Sequence, residues 1–280
     1  MIFDKKREEP ADRVTTRISC QKSRPICEGV TVISANLWHD WPRYRRIWER
    51  LESFARLVER ERADVVLLQE VARTNQIRVN DWLFERLGMS YTYARANGHK
   101  EEIGFEEGLA VLSKFPLEAP KLKRLGTARN PFVNRFALGT TVDSPCGKLL
   151  AFSVHLGLLS GENQRQLVDL QKWIEAVAGT RLVLIGGDFN ASESSPQIKR
   201  VKSTWIDTFR YLHPKSDGST YMLHLPWGSL IRKTRLDYIF LKQGGLDWNI
   251  VEARRLEPEG KPHSDHQAVL LRMTPGALAG

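Results

Sequence analysis

At residues 182–190 the chain reads LVLIGGDFN, an apolar run that ends in two glycines, an aspartate and an asparagine. The apolar run predicts a buried strand, and Gly186 and Gly187 let backbone or ligand approach closely. Side chains at positions i and i+2 of an extended segment share a face, so Asp188 and Asn190 project together from the strand end. Two such oxygen ligands suit a hard divalent cation and the phosphate that it polarises, although both residue types also form turns.

The same pattern, an apolar strand that leads into an acid, an amide or a histidine, recurs along the chain. It is found at residues 30–36, 64–70, 149–155, 235–240 and 264–271, which carry Asn36, Glu70, His155, Asp237 and the pair Asp265 and His266. Strand ends gather at the rim of a sheet, where the ligand sites of layered α/β proteins usually lie. Coincidence is a poor explanation for this recurrence, so we expect a shared site.

Helix and strand patterns alternate without a composition break, a Pro/Ser linker or a repeat, which favours one domain. The apolar spacing predicts helices at residues 43–62, 78–87 and 162–178. Strands are predicted at 90–96, 108–113, 134–142, 148–155, 181–186, 235–241, 248–255 and 267–273. Pattern alone indicates a mixed α/β domain, large enough to bury a sizeable core.

The polar segments form a series of seven short motifs. They are Asn36, Leu68-Gln69-Glu70, the segment 107–113, Ser153-Val154-His155, Gly187-Asp188-Phe189-Asn190, Leu236-Asp237-Tyr238 and Ser264-Asp265-His266. In this order they resemble the endonuclease/exonuclease/phosphatase superfamily over about residues 30–272. The resemblance implies an α/β fold, a four-layer α/β/β/α sandwich of two packed mixed sheets with outer helices. It places a catalytic domain at 29–274, between a polar N-terminal tail at 1–28, expected to be flexible, and a C-terminal tail at 275–280.

Phosphodiester hydrolysis needs an activated water, charge neutralisation at phosphorus and a proton for the leaving oxygen. The expected ligands of Mg²⁺ or Mn²⁺, which prefer oxygen, are Asn36, Glu70 and Asp265. We expect Asp188 to orient or deprotonate the water, and Asn190 to donate to the phosphoryl oxygens. The motif residues therefore supply both the metal ligands and the base.

Two histidines are the expected proton carriers, because imidazole titrates near neutrality. Similarity to the deoxyribonuclease branch pairs His155 with Glu107 and His266 with Asp237, so that each carboxylate fixes a tautomer. Glu107 lies in an acidic stretch, 101–107, and a solvated acidic loop is its alternative interpretation. The histidines without a motif are interpreted as surface or hydrogen-bonded residues; they are His39, His99, His213, His224 and His263.

The chain has a formal charge of +9 and an isoelectric point near 9.6, which suits a polyanion or an anionic lipid surface. Nucleic acid, in particular DNA, is the expected partner, bound mainly through its phosphates. The candidate contacts are Arg135, Arg232 and Lys233, although Arg135 is equally well explained as a surface strand residue. We expect the protein to be a monomer.

Three cysteines, Cys20, Cys27 and Cys146, lack metal-binding spacing. They are interpreted as reduced thiols, or as at most one disulfide with one cysteine left over. The N-terminus has no apolar signal region, and no stretch is long enough to span a bilayer. These features predict a soluble cytoplasmic protein.

Three functions stay open at this point. A metal-dependent DNA nuclease is favoured by the charge and the motifs. A sphingomyelinase-like or inositol-phosphate phosphodiesterase or phosphatase is the alternative, for which the apolar segment 222–227 is a hint of a membrane-contacting hairpin. His155 stands where abasic endonucleases carry tyrosine, which places the chain nearer the deoxyribonuclease and sphingomyelinase branches. A catalytically inactive binding module is disfavoured, because every core motif position is present.

Overall fold

The computed structural model describes residues 13–19, 26–126, 133–224, 230–245 and 247–276. Its strands are β1 Val14–Arg17, β2 Val30–Asn36, β3 Val65–Thr74, β4 Ser90–His99, β5 Phe105–Ser113, β6 Leu117–Arg124, β7 Phe136–Ser144, β8 Gly147–His155, β9 Val183–Asp188, β10 Ile206–Asp207, β11 Tyr221–His224, β12 Leu230–Thr234, β13 Asp237–Lys242, β14 Trp248–Arg255 and β15 Val269–Pro275. Its helices are α1 Ile47–Arg60, α2 Val79–Leu87, α3 Lys100–Ile103, α4 Ser160–Ala178, α5 Pro196–Val201 and α6 Thr208–Leu212.

Two large sheets form the centre of the described structure. The first has seven strands in the order β1-β4-β5-β3-β2-β15-β14, and the second has six in the order β10-β13-β9-β8-β7-β6. Both sheets are mixed, because β2 pairs parallel with β3, and β8 with β9, whereas β3–β5 and β9–β13 are antiparallel. Parallel neighbours end at the same edge of a sheet, so each sheet gathers the ends of two motif strands.

The sheets pack face to face through apolar side chains. Val32, Leu67 and Val111 of the first sheet lie in one buried cluster with Leu138 and Leu184 of the second. Because side chains alternate between the two faces of a strand, the intervening apolar residues face outward. A strand buried on both faces reads as a continuous apolar run, as the run before Asp188 does.

Helices cover both outer faces. Phe54 of α1 and Leu83 of α2 lie in a buried cluster with Leu68 of the first sheet. On the other side Leu170 of α4 lies in a cluster with Phe152 of the second sheet. These layers confirm the predicted α/β/β/α sandwich of two mixed sheets with outer helices.

The first helix is shorter than its apolar pattern predicts. The predicted helix at 43–62 spans only Ile47–Arg60, because Tyr44 and Arg46 have left-handed backbones with φ of 49° and 53°. A left-handed residue cannot continue a right-handed helix. The other two predicted helices agree with the structure to within two residues at each end.

Part of the predicted N-terminal tail belongs to the first sheet. Val14–Arg17 pairs antiparallel with β4 at the sheet edge. Cys27 forms a disulfide with Cys146, in the turn between β7 and β8, which is the second of the two interpretations of the cysteines. Residues 1–12 and 20–25, including Cys20, lie outside the described residues.

The last strand, β15, includes Pro275, which the sequence assigns to a C-terminal tail. Residues 277–280 of that tail lie outside the described residues. Within the described ranges, no helix combines the length and the apolar character needed to cross a membrane.

Candidate active site

Strand register places three motif residues side by side on the second sheet. β8 and β9 pair His155 with Asp188, and β13 pairs Asp237 with the same Asp188. Asp188 therefore lies between His155 and Asp237 at one edge of the sheet. Asn36 ends β2 in the first sheet, and its Nδ2 donates to Asp188 Oδ2 at 3.2 Å. This contact joins the two sheets in one site.

Asp188 is the buried carboxylate at the centre of the site, with 1% of its surface exposed. Its Oδ2 accepts from Asn36 and lies 3.6 Å from Nε2 of His155 and 3.9 Å from Nε2 of His266. Burial, and then the charge of Asp237, raise the pKa of Asp188 to about 7. The carboxyl group can therefore both accept and release a proton near neutral pH.

Asp237 and His266 form a buried pair, with Asp237 Oδ2 and His266 Nδ1 2.8 Å apart. Thr220 donates its hydroxyl to the same Oδ2 at 2.6 Å and accepts the backbone N–H of Asp237 at 3.1 Å. Burial acts to lower the pKa of His266, but the charges of Asp237, Asp188 and Asp265 outweigh it and raise the pKa to about 10. His266 is consequently protonated at neutral pH.

Glu70 is positioned by an irregularity in β3. The pairing of β3 with β5 shifts between Leu68 and Val71, and Glu70 has a left-handed backbone with φ of 55°. One carboxylate oxygen accepts Nδ2 of Asn36 at 3.1 Å, and the other accepts the backbone N–H of His39 at 3.2 Å. Nε2 of His39 lies 3.5 Å from that second oxygen. Glu70 therefore faces Asn36 across the ends of two adjacent strands.

Glu70 and Asp265 offer carboxylate oxygens, the atoms that Mg²⁺ and Mn²⁺ prefer. The amide oxygen of Asn36, the third predicted ligand, accepts the backbone N–H of Trp38 at 2.9 Å and keeps a second lone pair. Asp265 lies on the loop before β15, next to the buried His266. Desolvation raises the pKa of Asp265 and the charge of Glu70 raises it further, while His266 opposes the rise. A bound cation would relieve the repulsion between the two carboxylates, so this set of side chains fits a divalent metal.

A second possible metal site is formed by Asp188, Asp237 and His266, whose ligand atoms all lie within 4.8 Å of one another. The facing atoms of Asp237 and His266 are hydrogen-bonded to each other. Asp237 Oδ1, in contrast, is buried without a hydrogen-bond partner. A site of mixed nitrogen and oxygen ligands suits a transition metal better than Mg²⁺, so the two sites differ in the cation that they favour.

The expected pair of Glu107 with His155 is not formed. Within the described residues the two make no hydrogen bond or ion pair with each other, and Glu107 accepts the side-chain N–H of Asn97 instead. Burial raises the pKa of Glu107. His155, Glu107 and Arg135 line one narrow cavity, and burial followed by the charge of Arg135 lowers the pKa of His155 well below 6.5. His155 is thus neutral at pH 7, unlike His266.

A model of the Endonuclease/Exonuclease/phosphatase family matches residues 33–255 of the sequence. The chain belongs to this family. The uncharacterized protein YbhP of Escherichia coli (strain K12) is 28% identical to it in an alignment over 194 residues that covers 64% of this chain and 72% of YbhP. Members of the family are generally hydrolases that act on phosphodiester bonds, and they typically use divalent metals.

Solved structures of the family share the fold. An endonuclease/exonuclease/phosphatase family protein from Leptotrichia buccalis superposes with a TM-score of 0.71 at 20% identity, over 87% of this chain and 99% of that protein. D. rerio TDP2 complexed with a single-strand DNA product superposes with a TM-score of 0.68 at 18% identity, over 88% of this chain and 99% of TDP2. At these identities the likeness establishes the fold and not the substrate.

Asn190 lies in a tight turn after β9 of the family fold. Its backbone is left-handed, with φ of 48°, and its N–H donates to Asp188 Oδ1 at 2.9 Å. Its side-chain Nδ2 donates to the carbonyl oxygen of Leu156 at 3.0 Å. In this arrangement Asn190 fixes the carboxylate of Asp188, and one of the two N–H groups of its amide is engaged within the protein. The predicted donation to the phosphoryl oxygens stays a prediction.

Two of the three basic residues predicted to contact substrate lie on a hairpin beside the site. Arg232 and Lys233 are exposed on β12, which pairs with β11. Nζ of Lys233 lies 3.6 Å from Asp217. Tyr221 begins β11 and bridges to His266, with the two ring centroids 4.9 Å apart. The hairpin therefore extends from His266. Arg135 lies on the opposite side of Asp188, next to His155.

Two residues outside the motifs also contribute to the candidate active site. His39, interpreted from the sequence as a surface or hydrogen-bonded histidine, contacts Glu70, and its position three residues after Asn36 is the one available signal. Arg50 is buried in α1, and its Nη1 ties the loop after β2 to the loop before β15. It does so by donating to the carbonyl oxygens of Leu37, Trp38 and His263.

Proposed function

We propose that this chain is a divalent-metal-dependent phosphodiesterase that hydrolyses the phosphodiester backbone of DNA. The observation that carries the proposal is the convergence of Asn36, His155 and His266 on one oxygen, Asp188 Oδ2, at 3.2, 3.6 and 3.9 Å. An amide, a neutral imidazole and a charged imidazole around a carboxylate supply a base and hydrogen-bond donors at one point.

The cation is assigned to Glu70, Asn36 and Asp265, because their ligand atoms are two carboxylate groups and one amide oxygen. Mg²⁺ or Mn²⁺ bound there would neutralise charge on the phosphate and polarise it. The left-handed backbone of Glu70 in the middle of β3 supports the assignment. Sheet pairing alone does not require that conformation, and such outliers cluster at functional sites.

Asp188 and His266 have separate roles in the proposed reaction. With a pKa of about 7, Asp188 accepts a proton from the attacking water at neutral pH and returns it to solvent, from which the leaving oxygen takes up its proton. With a pKa of about 10, His266 keeps its proton and stabilises the negative charge that develops on the phosphate. Asp237 raises the pKa of both groups, so one buried carboxylate tunes the base and the cationic donor together.

DNA is the proposed substrate because of the charge and its distribution. The net charge of +9 favours a polyanion, and Arg135 lies on one side of Asp188 while Arg232 and Lys233 lie on the other. A structural relative, D. rerio TDP2, has been solved with a single-strand DNA product. We expect the protein to act on DNA as a monomer.

One panel tests this proposal. Purified protein with Mg²⁺ or Mn²⁺ is assayed on plasmid, single strands, abasic duplex, RNA, sphingomyelin and inositol phosphates, with Asp188→Asn as the matched inactive control. We expect metal-dependent cleavage of DNA, abolished by chelator and by the control substitution. Full turnover in excess chelator, or turnover of no nucleic acid, would contradict the proposal.

A phospholipid phosphodiesterase is the second candidate, because the hairpin beside His266 exposes apolar side chains. Leu223, Leu230 and Ile231 are 40, 46 and 54% exposed. Apolar residues next to Arg232 and Lys233 suit contact with an anionic lipid surface. Residues 225–229, in the middle of this hairpin, lie outside the described residues. Turnover of sphingomyelin without cleavage of nucleic acid would favour this candidate.

The cytoplasm is the compartment that the sequence predicts, and the Cys27–Cys146 disulfide opposes that prediction. Disulfides persist mainly in oxidising compartments and are rare in reducing ones. Thiol trapping of the protein in intact cells, followed by mass spectrometry, decides between the two. A trapped free thiol at both positions would support the cytoplasm, and an oxidised pair would favour an oxidising compartment.

A further inference from the structure

An exposed aromatic ring lies beside the side of the site that we assign to the cation. Trp41 follows the end of β2 by five residues and is 52% exposed. Its backbone N–H donates to Nδ1 of His39 at 2.9 Å, and Nε2 of the same imidazole lies 3.5 Å from Glu70. One imidazole therefore separates the backbone of Trp41 from the carboxylate of Glu70.

A second ring supports Trp41 from within the protein. The rings of Trp41 and Phe105 are stacked, with centroids 5.4 Å apart and planes inclined by 27°. Phe105 is buried and also contacts the rings of His39 and Tyr44, at 5.2 and 6.4 Å. A ring that is covered by one neighbour and still half exposed presents a flat apolar surface to a ligand.

The loop that carries Trp41 is held in one shape. The carboxylate of Asp40 accepts two hydrogen bonds from the guanidinium of Arg45 and one from its backbone N–H. The carbonyl oxygen of Asp40 accepts the N–H of Tyr44 at 2.8 Å. Such a preformed loop loses little conformational entropy when it binds a ligand. Its left-handed residues are Trp38, Asp40, Tyr44 and Arg46.

The charges around Trp41 indicate the chemical class of its ligand. Arg43, Arg45 and Arg46 follow it closely in the chain and are exposed, and the guanidinium groups of Arg45 and Arg46 are paired with Asp40 and Glu49. A flat ring near Arg43, next to a site for phosphodiesters, suits a nucleic-acid strand whose bases stack while its phosphates meet positive charge. Bases in a duplex are already stacked on their neighbours, so an unpaired base is the ligand that gains most from the ring.

We infer that Trp41, backed by Phe105, binds one unpaired base of a DNA strand whose backbone is cleaved beside Glu70 and Asp188. This inference rests on the proposed function and narrows its substrate to single-stranded or locally unpaired DNA. The stacked base belongs to a nucleotide on the Glu70 side of the scissile bond. Opening a duplex end or a mismatch therefore favours binding, and full pairing opposes it.

The experiment measures binding and cleavage separately on a set of labelled single strands. In each strand one nucleotide is replaced by an abasic residue, so that its phosphate stays and its base is removed. Binding is measured by fluorescence anisotropy in the Asp188→Asn background, and cleavage is measured in the native background with Mn²⁺. Each is compared among the parent, Trp41→Ala, Trp41→Phe and Trp48→Ala. Trp48 is a matched control, because it is 47% exposed but packs against Trp82 on the helix side.

We expect Trp41→Ala to raise the Kd for the intact strand by about 5- to 150-fold, the range that one base–aromatic stack supports. Trp41→Phe should recover most of the affinity, and Trp48→Ala should bind like the parent. A strand that lacks the stacked base should bind the parent protein as weakly as the intact strand binds Trp41→Ala. With that abasic strand, Trp41→Ala should cause no further loss of affinity. Non-additivity at a single position identifies the partner of the ring.

Other outcomes would overturn the inference, and they separate it from the proposed function. If Trp41→Ala cleaves DNA as well as the parent does, the inferred stacking site is wrong and the proposed nuclease function stands. If strands bind in a Trp41-dependent way but are never cleaved, the proposed nuclease function is wrong and the stacking site stands. A Trp41→Phe variant as weak as Trp41→Ala, or losses that are equal at every abasic position, would show a structural role. Trp41-dependent binding to anionic vesicles, without binding to strands, would assign the ring to a membrane.

Discussion

Replacing Asp237 by asparagine tests the main electrostatic feature of the site. The substitution keeps the shape of the side chain, so it changes mainly the charge that faces His266 across 2.8 Å. Burial opposes the protonation of His266, yet the facing carboxylates raise its pKa to about 10. Without the charge of Asp237, burial lowers the pKa of His266 more effectively, although the charges of Asp188 and Asp265 still raise it. We expect the pKa of His266 to fall towards its ordinary value of 6.5.

Two arguments give the size of this effect. A rise in pKa from 6.5 to about 10 corresponds to about 5 kcal/mol, at roughly 1.4 kcal/mol for each pH unit. Two unit charges 2.8 Å apart attract each other by about 6 kcal/mol at an effective dielectric constant of about 20. The first value is the net effect of all three carboxylates against burial, whereas the second concerns Asp237 alone. Loss of about 3 kcal/mol is enough to lower the pKa of His266 from about 10 to about 8. Turnover at that pH should then fall by roughly 10²- to 10³-fold, the loss typical of removing one preorganised donor to the charge that develops in the transition state.

The same charge links the stability of the fold to pH. A histidine whose pKa is raised by folding stabilises the native state fully below 6.5, and this contribution is lost as the pH rises through about 10. Asp237→Asn should therefore lower the free energy of unfolding most at about pH 6. The native and variant proteins should approach each other at about pH 10, and urea unfolding at several pH values measures this convergence.

Proton occupancy is measured directly by NMR on protein kept in chelator. Long-range ¹H–¹⁵N spectra of the histidine side chains distinguish a charged imidazole from both neutral tautomers. His266 should stay charged up to about pH 9 in the native protein and become neutral at lower pH in Asp237→Asn. His155 is the internal control, because burial and Arg135 hold its pKa well below 6.5 in both proteins. Thr220→Val, which removes a hydrogen bond to Asp237 but no charge, should shift His266 less.

Native His266 that titrates near pH 6.5 would refute this electrostatic argument. A variant whose His266 keeps its proton up to about pH 9 would do the same, because Asp188 and Asp265 would then be sufficient without Asp237. Unchanged turnover in a variant with a neutral His266 would leave the electrostatics intact and remove His266 from the reaction.

Three further predictions concern the metal, the coupled pair and the substrate. Glu70→Gln keeps the size of the side chain and removes its charge, so half-maximal activity should need much more Mn²⁺ while the Tm changes little. An unchanged metal requirement would contradict the assignment. Asp237→Asn and His266→Ala should each slow the chemical step, and the double variant should be little worse than either, because residues that act as one unit are non-additive. Multiplicative losses in single-turnover assays would show that the two residues act independently. Neutralising Arg232 and Lys233 together should weaken the binding of all DNA sequences and reduce the salt dependence of binding by about two counterions. A salt series in an inactive background measures this dependence, and an unchanged slope would exclude both residues as phosphate contacts.

The polar edge of the second sheet could be predicted from the sequence because strand geometry fixes it. His155 and Asp188 each end an apolar run, and Asp237 begins one. Strands of one sheet place such residues in register, and the observed pairing sets all three side by side. Local pattern therefore determines this half of the site, once the strands are known to be neighbours.

The position of Glu70 could not be predicted in the same way. In a regular strand Glu70 would share a face with Leu68, which packs against the helices in the buried core. The bulge between Leu68 and Val71 and the left-handed backbone of Glu70 turn its carboxylate to the strand end instead. Nothing in the apolar run signals a bulge, because its cause lies in the contacts of the folded site.

Loops that are distant in sequence supply contacts that no motif contains. Thr220, in the loop before β11, orients Asp237 from seventeen positions away. Such contacts depend on the path of a loop across the site, and neither apolar periodicity nor motif order encodes that path. The positions of the motif histidines can therefore be predicted from the sequence, whereas their hydrogen-bond partners are known only from the structure.

The two glycines before Asp188 show how closely the layers of the site approach. A Cβ atom on Gly186 would lie 2.6 Å from Cδ1 of Leu67 and 3.0 Å from Cβ of Ser34, both in the opposite sheet. A Cβ atom on Gly187 would lie 1.9 Å from the carbonyl oxygen of Val154 in β8. The sequence allows either backbone or ligand to approach these glycines, and in the structure it is the protein itself that does so.

This close approach has a consequence for the chemistry. Glu70 and Asn36 lie on the first sheet and Asp188 lies on the second, so the spacing of the sheets sets the distance between the proposed metal side and the base. The hydrogen bond of 3.2 Å from Asn36 to Asp188 exists only at that spacing. A side chain at Gly186 would push the sheets apart and lengthen this bond, because the atoms that it would meet belong to the opposite sheet. The glycines therefore act on the site through packing, by holding the two halves at the distance that the reaction needs.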